Sequence, residues 1–255
     1  MKQKRPVMPG MFIFDAGPDG TGFFLGAIGF LRERTIHMRT GRNENIRWTD
    51  RQIKRIKAIA RVSIELFSAK GYLETSMDDI ARALRTTKGG IYHYFRRKEE
   101  ILYFICSTCT ELKLRGLEEV SVETGDGAER VRLVISHLVD HCTANVKATR
   151  TSLNELRNLS PKHLKIINAK EECCREIVTE AIAGFLGRPR NKQIVRALSL
   201  AFLGIIDRLC LQYDPKNDMG PEKLSELTFA LFIYGARNVV PVSSPEAREH
   251  LVSNS

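Results

Sequence analysis

The sequence predicts an all-α protein, and two observations support this fold class. From Thr49 onward, apolar residues recur at intervals of three and four, the period of one face of an α-helix. No segment shows the alternation of apolar and polar residues, enriched in β-branched side chains, that is typical of strands. Helices packed on helices around a hydrophobic core are therefore the expected architecture.

The first three predicted helices are joined by tight turns. The first runs to Gly71, because glycine suits the left-handed conformation that closes many helices. Thr75 or Ser76 caps the second, which has two aspartates in its first turn, where the helix dipole favours negative charge. Thr87 is the natural N-cap of a short third helix that ends near Phe95. The turn of three or four residues between the second and third has the length found in a helix-turn-helix unit.

The remaining predicted helices are longer. One begins near Lys98, and others follow after Gly127 and at Pro161. Two strongly apolar helices, Lys192–Leu211 and Glu222–Asn238, complete the pattern.

Positive charge is concentrated in one part of the chain. Residues 39–115 hold 17 Lys and Arg against 9 Asp and Glu, whereas residues 116–255 hold 18 of each. A basic segment joined to a neutral one indicates a polyanion-binding module beside a part with another task. No phosphate-binding loop, Gly-x-Ser-x-Gly elbow or dinucleotide glycine fingerprint is present, so we expect neither an enzyme nor a cofactor.

Cysteine usage and hydropathy favour a cytoplasmic protein. None of the six cysteines lies in the Gly- and Pro-rich setting of a disulfide scaffold, and we expect reduced thiols. Cys106 and Cys109 lack the second pair that a zinc site requires. Apolar runs fall short of the ~18–20 residues of a membrane span, so no membrane partner is expected.

Residues 1–48 are expected to be a leader or basic arm outside the folded part, and residues 241–255 a disordered tail. An abrupt change to basic and polar residues occurs at Met38. A translation start at Met38 is therefore an alternative to a start at Met1.

The segment TTKGGIYHYF, residues 86–95, combines two helix-weakening glycines with a run of aromatic rings. Each glycine costs ~1 kcal/mol relative to alanine inside a helix. A recognition helix explains them, since small residues in its first turn allow close approach to base edges in the major groove. Lys88 can then reach a guanine edge or a phosphate, while Ile91 and Phe95, four residues apart, bury the opposite face.

The flank of the same segment carries hydrogen-bond donors for phosphate oxygens. Tyr92, His93 and Tyr94 are expected near the exposed side. Lys98, at the start of the next helix, can bind another phosphate together with the backbone N–H groups of that helix. Taken singly, the tyrosines also fit a core, but turn length, caps, glycines and charge all favour the same interpretation.

Four short motifs follow one another between residues 67 and 100. They are Phe-x-x-x-Gly-Tyr at 67–72, Thr-Ser-Met-x-x-Ile-Ala at 75–81, Lys-Gly-x-x-Tyr-x-x-Phe at 88–95 and Lys-Glu-Glu at 98–100. In order and spacing, residues 54–102 resemble the DNA-binding domain of the TetR family of transcriptional regulators. The resemblance covers about a fifth of the chain.

The resemblance implies two sets of DNA contacts. Base contacts are expected from Lys88, Gly89, Gly90 and His93. Phosphate contacts are expected from Thr75, Ser76, Tyr92, Tyr94 and Lys98.

The turn before the third helix departs from the family pattern. The family usually has glycine where this chain has Arg85. Either Arg85 adopts the left-handed conformation at some cost, or the turn differs and Arg85 reaches the DNA backbone. Arg85, Thr86 and Thr87 are included in the predicted interface.

The resemblance also implies a homodimer whose C-terminal helices form a ligand cavity and a dimer interface. The last two helices are apolar on more than one side, which favours a four-helix dimer face over a purely internal core. Residues 49–97 are thus predicted to bind DNA, and residues 98–240 to bind an effector and dimerise.

Polar residues on otherwise apolar helices are candidates for effector contact. His137 and His141 share a helix face that can chelate a metal, but no third ligand stands at a fixed spacing, so a structural pair is favoured and no metal is expected. The full set is His137, His141, Asn145, Asn154, Glu155, Asp207 and Arg208.

The segment between Gly204 and Gly235 resembles the acyl-CoA-responsive branch of the family. In that branch tryptophans are common near the positions that Asp207 and Leu211 occupy here. The resemblance implies that Arg208 pairs with a phosphate of coenzyme A.

The predicted function is a ligand-responsive transcriptional repressor that a small hydrophobic effector releases from its operator. The expected effector is an acyl-CoA of fatty-acid or related degradation. The alternatives are a drug-like compound or a metal as effector, and a DNA-associated adaptor with a filled C-terminal domain and no ligand.

Overall fold

A computed structural model describes residues 49–122, 126–187 and 191–239. The predictions for residues 1–48 and 241–255, including the alternative start at Met38, lie outside the described residues. Within the described ranges every regular element is helical, so the predicted all-α fold is confirmed.

The N-terminal unit consists of α1 (Asp50–Lys70), α2 (Met77–Ala83) and α3 (Lys88–Tyr92). Thr49 caps α1 in a reciprocal capping box with Gln52, and Gly71 ends the helix at φ 88°. Ser76 rather than Thr75 caps α2, in a second capping box with the aspartate three residues on.

A Schellman arrangement closes α2 at the turn before α3. The backbone N–H of Arg85 donates to the carbonyl of Arg82 (3.0 Å), and that of Thr86 donates to the carbonyl of Ala81 (3.0 Å). This pattern requires a left-handed residue at its penultimate position, and Arg85 supplies it with φ 48°. Of the two alternatives for Arg85, the structure adopts the left-handed conformation.

Replacing Arg85 with glycine should stabilise the protein by about 1 kcal/mol. A side chain in the left-handed region costs roughly 1–2 kcal/mol, part of which the greater flexibility of glycine in the unfolded chain offsets. Arg82→Gly, three residues away in the helical part of α2, is a matched control that should destabilise by about 1 kcal/mol. Urea unfolding measures the change in the free energy of unfolding of each variant. If both variants are destabilised, or both stabilised, the backbone at Arg85 is not strained.

The remaining helices are α4 (Lys98–Ser121), α5 (Gly127–Ala144), α6 (Val146–Glu155), α7 (Pro161–Phe185), α8 (Lys192–Gln212) and α9 (Pro221–Val239). A short 3₁₀ turn, Leu156–Asn158, follows α6. Helix α4 packs on α1, α5, α6 and α7, while α9 packs mainly on α5. Helix α6 contacts α1, α4 and α8, so it joins the N-terminal unit to the C-terminal helices.

Buried apolar side chains form two clusters. The N-terminal cluster contains the inner faces of α1 to α3 and of α4 as far as Leu112, together with Ala148 on α6. The C-terminal cluster contains Leu117 of α4 and the inner faces of α5, α7, α8 and α9. Lys113 lies between the two clusters along α4, and its ammonium is 2.6 Å from the Glu171 carboxylate of α7.

One cysteine pair differs from the expectation of reduced thiols. Cys142 on α5 and Cys210 on α8 are joined as a disulfide, because the buried faces of these two helices bring their Cα atoms within 5.1 Å. Cys106, Cys109 and Cys174 are buried free thiols. Burial raises the pKa of the Cys106 thiol to about 12, which keeps this group protonated and unreactive.

Candidate nucleic-acid interface and effector region

Helix α3 presents a small polar edge to solvent. Ile91 and Phe95 are completely buried against the N-terminal cluster, as predicted, whereas Lys88 and Gly89 are exposed and Tyr92 is 43% exposed. The Thr87 hydroxyl accepts a hydrogen bond from the backbone N–H of Gly90 (3.2 Å), which caps the helix as predicted. The glycines therefore leave the first turn without side-chain bulk.

Gly90 also allows a close approach of the preceding turn. A Cβ atom at this position would lie 2.9 Å from Oγ1 of Thr86 and 4.0 Å from a guanidinium nitrogen of Arg55. Both glycines thus have a role, with Gly89 facing solvent and Gly90 facing the turn and α1.

Helices α1 and α3 enclose a groove of about 540 Å³. From α3 and its C-terminal end, Gly90, His93 and Tyr94 line it. From α1 it is lined by Arg51, Lys54, Arg55 and Ala58. The three basic residues of α1 were missed by the sequence analysis. Their spacing of three and four residues, opposite the apolar stripe, is the signal that could have identified them.

Lys88 faces a carboxylate in the absence of DNA. Its ammonium lies 2.7 Å from the Asp78 carboxylate, and this hydrogen bond raises the pKa of Lys88. Because both side chains are exposed, water screens the pair and other partners can replace Asp78. Lys88 therefore remains a charged group that can reach an anion beside α3.

Lys98 stabilises a corner of the N-terminal unit. Its ammonium donates to the carbonyls of Tyr72 (2.6 Å) and Leu73 (3.2 Å) and lies 4.2 Å from the centroid of the Tyr72 ring. Partial burial lowers the pKa of Lys98. Since an ammonium has three donors, one remains for a further acceptor.

The other predicted DNA contacts are divided between surface and core. Arg85, Thr87 and His93 are exposed with Lys88, and Thr86 and Tyr94 are half-buried beside them. Ser76 is exposed, and its hydroxyl donates to the Asp79 carboxylate (2.8 Å). Thr75 is only 1% exposed because its hydroxyl donates inward to the Gly71 carbonyl (2.8 Å), so its side chain does not face solvent with the others.

The structure gathers three of the seven effector candidates on α5 and at its end. The ring centroids of His137 and His141 are 6.4 Å apart, and Asn145 follows at the break between α5 and α6. Nε2 of His137 donates to the Lys113 carbonyl (3.0 Å), since a carbonyl can only accept. Burial lowers the pKa of both histidines, that of His141 most strongly. Both imidazoles are therefore neutral at pH 7.

The other four candidates are not on α5, although Asp207 on α8 is close enough to Lys113 for their charges to interact. Asn154, Asp207 and Arg208 are exposed, and Glu155 accepts a hydrogen bond from the Asn158 amide (2.8 Å) after the end of α6. These positions were predicted from helical periodicity, which gives the face of a helix but not its neighbours. In the described part of the chain, no group of three His, Cys, Asp or Glu side chains could hold a metal ion.

A small cavity lies among α5, α8 and α9. Its volume is about 10 Å³, roughly the space of one water molecule. The lining is Val139, Cys142, Thr143, Ile206, Leu209, Tyr213 and Leu224. Side chains therefore fill this part of the C-terminal cluster.

Helices α8 and α9 leave large apolar side chains in contact with solvent. Leu227, Leu231 and Tyr234 form a stripe on α9 and are 55%, 64% and 70% exposed, and Leu200 on α8 is 51% exposed. Helix α9 thus buries one face in the C-terminal cluster and exposes a second apolar face, to which α8 adds Leu200. None of the helices in the described ranges has the length and hydropathy of a membrane span.

Comparisons with known proteins show what the N-terminal unit is similar to. Residues 59–103 match the family model of bacterial regulatory proteins of the tetR family. Over 44 residues the chain is 39% identical to the transcriptional regulator AcuR of Cereibacter sphaeroides, a match that spans 17% of this chain and 20% of AcuR. That curated relative therefore supports the DNA-binding unit alone.

Solved structures cover more of the chain. A TetR-family transcriptional regulator, PfmR from Thermus thermophilus, superposes with a TM-score of 0.64 at 25% identity over 69% of this chain and 97% of that protein. AibR, solved in complex with isovaleryl coenzyme A and operator DNA, gives a TM-score of 0.61 at 25% identity over the same shares of the two chains. The match thus extends through the C-terminal helices.

Proposed function

We propose that this chain is a dimeric transcriptional repressor released from operator DNA by an acyl thioester, because residues 59–103 match the tetR family model and a TetR-family regulator is similar over 69% of the chain. The observation that supports DNA binding most directly is the exposed edge of α3 beside the basic groove. Glycines in the first turn of this short helix leave it narrow enough to enter the major groove of B-form DNA.

The proposed DNA contacts fall into two groups. Lys88, Gly89 and His93 approach base edges, because they occupy the exposed first turn and C-terminal end of α3. Phosphates are bound on both sides of this helix, by Arg51, Lys54 and Arg55 from α1, by Tyr92 at the end of α3, and by Ser76, Arg85 and Lys98 from the neighbouring helix ends. On binding, a phosphate or base edge replaces Asp78 as the partner of Lys88.

Two copies of the chain would bind through α8 and α9. The exposed stripe of Leu227, Leu231 and Tyr234, together with Leu200, is an apolar surface that a soluble chain normally covers. A two-fold arrangement of α8 and α9 forms a self-complementary four-helix face and presents two α3 helices to successive turns of the major groove.

AibR supports the choice of effector, since its structure contains isovaleryl coenzyme A and its chain is 25% identical to this one. The apolar inner faces of α5, α7, α8 and α9 suit an acyl chain. The guanidinium of Arg208 is exposed at the surface of α8, where it can pair with a phosphate of coenzyme A.

A titration of the DNA complex tests the proposal. In sedimentation velocity, two copies of the full chain should bind each site on a fragment of its own promoter region. Isovaleryl coenzyme A or a longer acyl coenzyme A should release the protein from this DNA fragment. Free coenzyme A is the matched control and should have little effect. Release by a metal or a planar aromatic drug, with no release by any thioester, would contradict the effector assignment.

The small cavity among α5, α8 and α9 favours a second candidate function, that of a DNA-associated adaptor without a ligand. A volume of about 10 Å³ holds no acyl chain unless the helices separate. For an adaptor, no thioester should change either the thermal midpoint of the protein or its affinity for the DNA fragment, whereas an effector should change both.

A further inference from the structure

The break between α5 and α6 leaves a helix N-terminus without its usual cap. Asn145 interrupts the two helices with φ −141° and ψ 48°, and it occupies the N-cap position of the ten-residue helix α6. Asparagine is among the best N-cap residues, yet its side chain makes no capping hydrogen bond here. The Asn145 side chain therefore satisfies none of the backbone N–H groups in the first turn of α6.

Two buried polar side chains at the same N-terminus also lack partners. Both amide atoms of Asn145 and the hydroxyl of Thr149 are buried without a hydrogen bond, and each residue is only 6% exposed. The two residues lie one turn apart, since the Thr149 N–H donates to the Asn145 carbonyl (2.9 Å). A buried polar group without a partner costs about 1–3 kcal/mol, so three such atoms in one turn indicate a site that a ligand completes.

The location connects the two parts of the protein. Cys142 and Val146 pack in the C-terminal cluster, whereas Ala148 packs in the N-terminal cluster, so the chain passes from one cluster to the other at this turn. Lys147 forms an ion pair with Glu65 on α1. A molecule bound at the start of α6 would therefore contact the helix that touches the DNA-binding unit.

The charges around the site favour a neutral ligand group. His141, four residues before Asn145, is uncharged, because burial, His137 and Lys113 hold its pKa well below the usual value. The positive charge of Lys113 is compensated by Glu171 at 2.6 Å. Arg150, the residue after Thr149, is the other cation on this helix near the site: its guanidinium donates to the Tyr213 carbonyl (2.5 Å), and its charge acts on the Asp214 carboxylate. A buried carboxylate or phosphate would lose several kcal/mol of hydration. A carbonyl oxygen instead accepts hydrogen bonds from the Asn145 amide and the Thr149 hydroxyl without such a loss.

We propose that the N-terminus of α6, with Asn145 and Thr149, is the subsite that binds the neutral carbonyl group of the effector. This inference rests on the proposed function and specifies the ligand chemistry at that site. A thioester and a ketone share this chemistry, whereas a free fatty acid does not.

Isosteric variants of the full chain test the subsite. Thr149→Val should leave the thermal midpoint equal to or above that of the wild type, because it removes a buried hydroxyl that has no partner. The same change should weaken binding of the N-acetylcysteamine thioester of octanoic acid about fivefold, and Asn145→Leu should weaken it about tenfold. Thr108→Val is the control, since that hydroxyl is 1% exposed and already donates to the Phe104 carbonyl (2.8 Å), and the variant should bind the thioester normally.

Three probes distinguish the ligand sources. The octanoyl thioester and 2-decanone are neutral carbonyl compounds, and octanoate is the matched anion. The subsite is supported if either neutral probe binds the wild type and binds more weakly to Thr149→Val and Asn145→Leu. The neutral probe with the higher affinity shows whether the natural ligand is a thioester or a ketone. Tighter binding of octanoate, unchanged thioester affinity in both variants, or a lowered midpoint in Thr149→Val would each overturn it. If neither neutral probe binds the wild type, the carbonyl subsite is wrong, while specific binding to the promoter fragment would leave the DNA-binding function intact.

Discussion

Replacing Lys88 and Tyr92 together with alanine should lower the affinity for the promoter fragment about 100-fold, because a base-edge contact and a phosphate contact each contribute roughly 1–3 kcal/mol. Lys88 lies in the first turn of α3 with its ammonium in solvent, and Tyr92 is 43% exposed on the same helix. Neither side chain belongs to the buried cluster that holds the helix, so folding should be unaffected.

A gel-shift titration at fixed salt concentration measures the loss, with a thermal melt to verify that the variant is folded. Lys192→Ala at the start of α8, a helix of the C-terminal cluster, removes the same charge from an exposed site and is the matched control. Unchanged affinity in the double variant would show that α3 is not the recognition helix.

Gly127→Ala should destabilise the protein by about 3 kcal/mol, even though alanine is normally the better helix former. A Cβ atom at Gly127 would lie 2.5 Å from Cα and 2.7 Å from the backbone nitrogen of Phe185, and 2.8 Å from the carbonyl carbon of Gly184. These are backbone atoms at the end of α7, so no side-chain rotation relieves the overlap and the two helices must separate.

Gly184→Ala is a closely matched control for this change. Gly184 lies on α7, the helix that Gly127 contacts, yet a Cβ atom added at Gly184 would have no other atom within 4 Å. The control should stabilise the protein by up to about 1 kcal/mol through helix propensity. Thermal unfolding should separate the two variants by roughly 8–16 °C, since 1 kcal/mol corresponds to about 2–4 °C for a chain of this size. Similar midpoints for both would contradict the packing of α5 on α7.

The N-terminal unit was predictable in detail because its signals are local. The predicted features depend on neighbours within one or two turns: a cap at Thr75 or Ser76, a cap at Thr87, the left-handed Gly71 and the four-residue spacing of Ile91 and Phe95. The structure confirms each of these local features. The one uncertain feature, Arg85, was resolved by the two backbone hydrogen bonds that close α2.

The basic face of α1 was missed for a different reason. Arg51, Lys54 and Arg55 appear in the sequence as the solvated side of an amphipathic helix, which is the usual place for charge. Only the packing of α3 across α1 turns that side into one wall of a groove with His93 and Tyr94.

The sequence alone determined the helical class, the helix-turn-helix unit and the exposed edge of α3, because periodicity, capping and charge are properties of short segments. The tertiary structure decided which polar groups of the C-terminal helices are buried. Asn154 and Arg208 are exposed, whereas Asn145 and Thr149 are enclosed without hydrogen-bond partners. The physical reason is that burial depends on which helices pack against a given face, and periodicity identifies the face but not its neighbour.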